Sequence, residues 1–362
     1  MRKLRNYLGI SLLLFSTSQC HSRCGVKPVY DTTKLKLAWQ EAKTWESSEA
    51  TFDLRQASEG QTCYVPTEDA VYYIDLDGNA WKFTRNSQPG SLLCQAINNI
   101  PTDFRVGKGF SFLAGSKDNP TLFVGKLTSL PSDNILLWKY ENENWQEIAD
   151  PYPSFSTWYT LNQACASCTL ETNDQLYGCL SIGLNESGTM PPTGKICFLA
   201  FEPNMGQFTI LKPLIPRLIS QNIDIAISPA PNKLILGQQE PGQHHTFDMF
   251  DLQLSDTAVT ALPKKITNEV SAQQWKTALL KFEGAISVMD PLFYNLEADA
   301  YKFYRLDAKN HLVSAGDLPN NQALRKETLI LPFADEIFCI TKESDEADAP
   351  FIYYQGKLAL AN

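Results

Sequence analysis

One two-strand pattern recurs six times along the chain, and no other feature restricts the fold as strongly. Each copy is an apolar, aromatic-rich stretch, a short polar turn and a second apolar stretch. The copies occupy residues 71–83, 135–148, 196–210, 246–259, 300–313 and 351–360, so their starts are separated by 64, 61, 50, 54 and 51 positions. That spacing lies near the ~50-residue period of a four-stranded blade and is too long for a leucine-rich or helical repeat. Further strand pairs precede several copies, as in 110–113 with 122–124, 223–227 with 233–236, and 278–282 with 286–289. Four strands per period predict an all-β chain, a single β-propeller of about six four-stranded blades over residues 50–362. The six copies then supply the last two strands of each blade. A β-sandwich or two smaller β domains is the competing arrangement.

The aromatic positions within the copies carry a resemblance. Tyr140 with Trp145, and more loosely Tyr73 with Trp81, place an aromatic strand, a turn and a Trp as a kelch repeat does. In those six short segments the chain resembles kelch-like β-propeller proteins. The resemblance implies a propeller that presents one loop-rich face to a partner. The paired glycines of a kelch blade are absent.

Helical periodicity is scarce. Its best candidate is 32–46, where Leu35, Leu37, Ala38, Trp39, Ala42 and Trp45 suggest a short helix in an N-terminal extension spanning 21–49. Turns within the first and the last strand pair of a blade read as short, and the remaining connections as long. Those longer loops would collect on one face, the expected binding face.

The N-terminus has its own logic. Arg2, Lys3 and Arg5 precede the apolar run 8–15, then Ser16, Thr17, Ser18, Gln19 and Cys20. The run is too short to span a bilayer and reads as a signal peptide over 1–20. It resembles a bacterial lipoprotein signal, which implies a lipid on Cys20; ordinary secretory cleavage nearby is the alternative, and Gln19 departs from the lipoprotein pattern. Either way the mature chain is expected outside the cytoplasm: secreted, periplasmic or lipid-anchored to the envelope. The nine Cys leave eight if Cys20 carries lipid, an even number compatible with an oxidising compartment.

Composition narrows the partners. A net charge of −9, or −12 without the three basic leader residues, argues against nucleic acid and against membrane contact other than a lipid anchor. With 43% hydrophobic and 20% charged residues the chain can bury a large core.

No motif brings recognisable catalysis or a cofactor. Neighbouring His244 and His245 point oppositely on an extended chain and lack a third ligand, so no metal is expected there. Cys165 and Cys168, with Cys179 and Cys197, lack the second CxxC of a convincing zinc site. Counting outward from a turn at 173–174 sets Cys168 opposite Cys179, a disulfide candidate for which Cys197 competes. Asp75, Asp77, Gly78 and Asn79 look like a calcium loop but read as a hairpin turn. Tyr152, Phe155, Trp158 and Tyr159 concentrate aromatics in a connection and, with His244 and His245, are the candidate ligand-binding face; packing between blades is the alternative. The expectation is an exported binding or interaction module for a protein, peptide or glycan. An extracytoplasmic hydrolase or lyase with its site at the channel, and a structural part of an envelope complex, remain as alternatives.

Overall fold

The structure, a computed structural model, describes residues 34–360 except 47–51, 55–56, 87–90, 106–107, 128–134, 149–158, 163–165, 173–174, 187–192, 203–206, 212–222, 240–244, 256–257, 268–274, 284–286, 298–299, 308–310, 320–322, 326, 345 and 347–348. Strands dominate, and no α-helix occurs among the described residues.

The described residues open with β1 (Leu35–Trp39) and β2 (Lys43–Trp45). A first meander follows: β3 (Gln61–Val65), β4 (Ala70–Ile74), β5 (Ala80–Arg85) and β6 (Leu92–Ile97). The second holds β7 (Lys108–Ser116), β8 (Pro120–Leu127), β9 (Ile135–Glu141) and β10 (Asn144–Glu147). After β11 (Tyr159–Asn162), a third holds β12 (Ser167–Glu171), β13 (Gln175–Glu186), β14 (Thr193–Glu202) and β15 (Gln207–Leu211). A fourth holds β16 (Ile223–Ile227), β17 (Lys233–Gln239), β18 (His245–Ser255) and β19 (Ala258–Thr267). The fifth holds β20 (Lys276–Glu283), β21 (Ser287–Glu297), β22 (Ala300–Leu306) and β23 (Leu312–Ser314). The chain ends in β24 (Leu329–Pro332), β25 (Ile337–Lys342) and β26 (Phe351–Leu360).

These strands form five hydrogen-bonded sheets rather than the six separate ones expected. The second and third meanders share one nine-stranded sheet, because Gln175 and Leu176 of β13 pair with Ser116 and Gly115 of β7. The last sheet runs β1-β26-β25-β24, with β2 also on β26. Strands β3, β7, β12, β16, β20 and β24 lie against one another in a closed series, with β24 returning to β3. Meanders arranged radially around such a series are a β-propeller.

Three details correct the sequence reading. The segment 32–46 contains no described helix: Leu35 and Leu37 are buried while Lys36 and Ala38 are exposed, a period of two that makes β1 a strand. It pairs in register with the chain's last strand, Leu35 opposite Leu360 and Trp39 opposite Gly356, so the N-terminal segment belongs to the propeller. Thr33–Asn362 accordingly forms one compact unit. The copy at 71–83 is the second and third strand of its meander, not the last two, because Leu92, Cys94 and their neighbours add a fourth strand, β6. Finally, the copy at 351–360 is the single strand β26, and its partner on the far side is β1.

Strand β4, Ala-Val-Tyr-Tyr-Ile, is buried at all five positions because both faces of its sheet are covered. Val71 and Tyr73 join Trp45, Phe52, Trp81, Phe83, Phe333 and Phe338 on the side of the last sheet. Ala70, Tyr72 and Ile74 join Leu113, Val124, Phe104 and Trp138 on the side of the second meander. A third cluster, with Ile227, Ile235, Phe247, Trp275 and Phe293, packs the fourth meander on the fifth. Two turns show the local chemistry. Asn142 and Glu143 both have positive φ, the mirror-image turn that suits a two-residue hairpin, and they set Trp145 directly opposite Tyr140 with ring centroids 4.8 Å apart. At the 75–79 turn, Asp75 accepts the backbone N–H of Asp77 and Asn79 at 2.8 and 2.9 Å, while Gly78 takes φ of 80°.

Candidate binding site at the closing seam

The residues proposed from sequence are not brought together by the described structure. Tyr152, Phe155, Trp158, His244 and Cys20 lie outside the described residues, as does the signal segment. Tyr159 opens β11, paired with Glu186, and His245 opens β18, opposite Gln239. Cys168 and Cys179 are direct partners across β12 and β13, and both are thiols.

A different site is built where the last sheet meets the first meander. Residue types there follow from strand position. Arg85 ends β5, where the sheet reaches solvent, and Asp335 with Glu336 forms the turn between β24 and β25. The two ends meet although about 250 residues separate them in sequence. The Arg85 guanidinium donates to Asp69 Oδ2 through Nε at 2.8 Å and Nη2 at 2.6 Å. Its Nη1 donates to Asp335 Oδ1 at 2.6 Å and to Glu336 Oε1 at 3.2 Å. Underneath, the Phe333 ring lies 5.4 Å from the guanidinium carbon. Partial burial opposes the Arg85 charge, but the hydrogen bonds and attraction from Asp69, Asp335 and Glu336 outweigh it and hold the pKa above its ordinary value. Lys357 of β26 adds a second cation 3.2 Å from Glu336 Oε2.

Beside this network is a cavity of about 440 Å³. Gln40 and Lys43 line it from the N-terminal strands, Arg85, Asn86 and Ser91 from the first meander, and Glu336, Phe338, Gln355 and Lys357 from the last sheet. The site therefore exists only because the first and last segments of the chain share a sheet. Two of its polar side chains are deeply buried: Glu336 is 3% exposed and Gln355 5%. The Gln355 amide donates through Nε2 to Glu336 Oε2, and the same amide's Oε1 is buried with no hydrogen-bond partner. A buried acceptor of this kind is destabilising by about 1–3 kcal/mol unless something donates to it.

Charge in the site balances. Arg85, Lys43 and Lys357 stand against Asp69, Asp335 and Glu336. Arg85 and Lys357, already committed to carboxylates, offer little positive charge to an anion. What the cavity offers is neutral hydrogen bonding from amides and a hydroxyl around one aromatic edge, Phe338. Sequence reasoning passed over these residues because Arg85 and Glu336 carry no motif, and their meeting depends on ring closure.

No known family profile matches the sequence, and no curated protein matches it. Similarity to solved structures does exist. A chain from a cryo-EM structure of RAG in complex with one melted and one unmelted RSS superposes with a TM-score of 0.53 at 9% identity, covering 88% of this chain and 99% of that one. At that identity the likeness concerns the fold alone. The fucose-specific lectin of Aleuria aurantia, whose crystal structure is described as a six-bladed β-propeller, gives 0.46 at 12% identity, with 90% and 95% coverage. SapL1 lectin in complex with α-methyl fucoside gives 0.46 at 12%, with 79% and 90% coverage. The closed series of inner strands and the meanders around it make the class of the chain a β-propeller.

Proposed function

We propose that this chain is an exported propeller of six four-stranded units that binds a neutral, hydroxyl-bearing ligand, a segment of a glycan, in the cavity at its closing seam. The observation that carries this reading is the Gln355 amide, which belongs to a side chain lining that cavity and whose buried Oε1 lacks a donor. A sugar hydroxyl satisfies it and can accept in turn from a neighbouring donor, which a purely apolar ligand cannot do. The volume suits a small number of sugar residues, within the ~300–1,000 Å³ range of small-molecule sites. Asp335 and Glu336 are tied to Arg85 and Lys357, an arrangement that holds the wall in place and favours binding over hydrolysis. Export rests on the 1–20 segment, and lipidation of Cys20 belongs to the same proposal.

The test is a panel of neutral oligosaccharides and of uncharged peptides, titrated calorimetrically against the mature chain. Two variants accompany it. Gln355→Leu removes the orphan acceptor, and Ser91→Phe fills the cavity without touching the buried network. Saturable binding of an oligosaccharide that both variants weaken at least ~10-fold supports the reading. Binding left intact in both variants places the ligand elsewhere, and binding of peptides alone rejects the glycan. The intact mass of the protein recovered from its native host tests export separately. Loss of 1–19 with a lipid increment on Cys20 supports lipidation, loss without it supports plain secretion, and retention of Met1 rejects this route.

A further inference from the structure

The third meander holds a pair of groups that the binding site does not use. Strand β12 runs antiparallel to β13, with Cys168 opposite Cys179, Thr169 opposite Gly178 and Leu170 opposite Tyr177. Directly opposed residues of such a ladder have Cα atoms about 4.5–5.5 Å apart, inside the 4.4–6.8 Å that a disulfide spans. The two thiols hydrogen-bond to each other. Neighbouring side chains hold this register against slipping. Thr169 Oγ1 accepts the backbone N–H of Leu113 at 2.8 Å, and Ser167 Oγ donates to the carbonyl of Ser111 at 3.1 Å, so both residues flanking Cys168 are tied to β7.

The other described cysteines stand opposite residues of other kinds. Cys63 faces Tyr72, Cys94 faces Phe83, and Cys339 lies between Ile330 and Tyr354. Cys197, which the sequence offers as a competitor, is registered with Leu180, one position away from Cys179.

We infer that Cys168 and Cys179 form a cross-strand disulfide that staples β12, one of the six strands of the inner series, to the body of its sheet. Oxidation proceeds by exchange with an external disulfide such as oxidised glutathione. Cys168 is the accessible member and Cys179 is fully buried, so Cys168 attacks first. A bond forms between Cys168 Sγ and one external sulfur, and the other leaves as a thiol carrying the Cys168 proton. Cys179 then attacks Cys168 Sγ, and the second external thiol leaves with the Cys179 proton. The protein loses two protons and two electrons, and the external disulfide gains both. In the reduced protein the hydrogen bond with Cys168 and burial push the Cys179 thiol well above its ordinary pKa; burial persists once Cys168 is capped and makes the second step the slower one.

The experiment uses the full chain, reduced, desalted and equilibrated with oxidised glutathione, then alkylated after unfolding and digested without reductant. The expected product is one linked peptide pair joining Cys168 to Cys179, two hydrogens lighter than its parts, with Cys63, Cys94 and Cys339 fully alkylated. The unfolding midpoint of the wild type should rise on oxidation, whereas that of Cys168→Ser should be the same before and after. Because each protein is compared with its own reduced form, a general destabilisation by the substitution does not blur the result. Full alkylation of both cysteines in the oxidised sample, a persistent glutathione adduct on Cys168, or linkage of either residue to Cys165 or Cys197 overturns the inference.

Discussion

The first meander is covered on both faces, and its two junctions differ in one respect. Towards the second meander the contact is dominated by apolar and aromatic side chains: Tyr72 against Tyr140, Phe104 against Trp138, with Leu113 and Val124 between. Towards the last sheet there is an interior of the same kind, with Phe52 edge-on to Trp81 and Phe83, and Phe333 edge-on to Phe338. The second junction adds a rim of buried carboxylate and amide and a partly exposed guanidinium, with a cavity beside it. The aromatic interiors hold the units together, so the polar rim is not needed for cohesion. Buried orphan groups oppose folding and occur on both sides, as Trp138 Nε1 and Gln355 Oε1; Gln355 also lines the cavity, where a ligand can meet its side chain.

If the two interiors do equivalent work, truncating either should be equally harmful. Phe83→Ala on one face and Trp138→Ala on the other, both essentially unexposed, should each lose about 3–5 kcal/mol in denaturant unfolding. A much smaller loss on the seam side would break the comparison. Overpacking should have a lesser effect. A Cβ added at Gly125 would come within 2.4 Å of the Phe110 ring and 2.7 Å of the Leu136 carbonyl, so Gly125→Ala should cost about 1–3 kcal/mol by the same assay.

The polar rim sharpens the contrast further. Arg85→Met leaves buried Glu336 with only Lys357 and Gln355 as partners and should be destabilising by about 1–3 kcal/mol. Because that effect includes Coulombic attraction at a partly exposed guanidinium, it should shrink in 1 M salt, where the Debye length is about 3 Å. The Phe83→Ala loss should not shrink. An equal response of both variants to salt would show that the rim does not act electrostatically.

How much of this was legible in the sequence varies by level. The ~50-residue period is a property of alternating apolar stretches, which survive whatever the loops do, and it led to the propeller. Phase was harder to read. Strand β6, Leu-Leu-Cys-Gln-Ala-Ile, buries only Leu92 and Cys94, so its signal was weak enough to pass as a loop. Missing it moved the first copy by one strand and inflated the first gap to 64 residues; measured from β5 at Ala80 to β9 at Ile135 it is 55. The helix expected at 32–46 failed because Leu35, Ala38, Trp39 and Ala42 suit a helical face while Leu35, Leu37 and Trp39 suit strand alternation, and pairing with β26 decided between them. The site was illegible for a different reason. Arg85, Glu336 and Gln355 meet through ring closure between distant segments, and single-sequence periodicity contains no term for that.

The smallest effect is a pH dependence at a further point of contact between distant units. Lys276 of β20 donates to the Gly60 carbonyl at 2.9 Å, and burial lowers its pKa from 10.5 to about 8. Below pH 8 both states hold the proton. Between about 8 and 10.5 the folded state has lost it while the unfolded state keeps it, so this group makes stability rise with pH. Buried thiols act oppositely: the Cys63 pKa is raised from 9.0 to about 12 by burial, and stability from that source falls as pH rises through this range. The two contributions are separated by substitution. From pH 8 to 9 the wild type should gain at most about 1 kcal/mol relative to Lys276→Met, as the difference between their unfolding free energies. Parallel curves would show that Lys276 is not buried against Gly60.

Both the binding site and the ring depend on one claim, that β1 completes the last sheet by pairing with β26. Hydrogen–deuterium exchange on the full chain reads this directly. Pairing predicts that the amides of Leu35–Trp39 that face β26 exchange far more slowly than those of an unstructured peptide, towards the protection of Ile337–Lys342 on the inner strand of the same sheet. Exchange of Leu35–Trp39 at the rate of an unstructured peptide, with Ile337–Lys342 still protected, would contradict the closure and with it the cavity built from its residues.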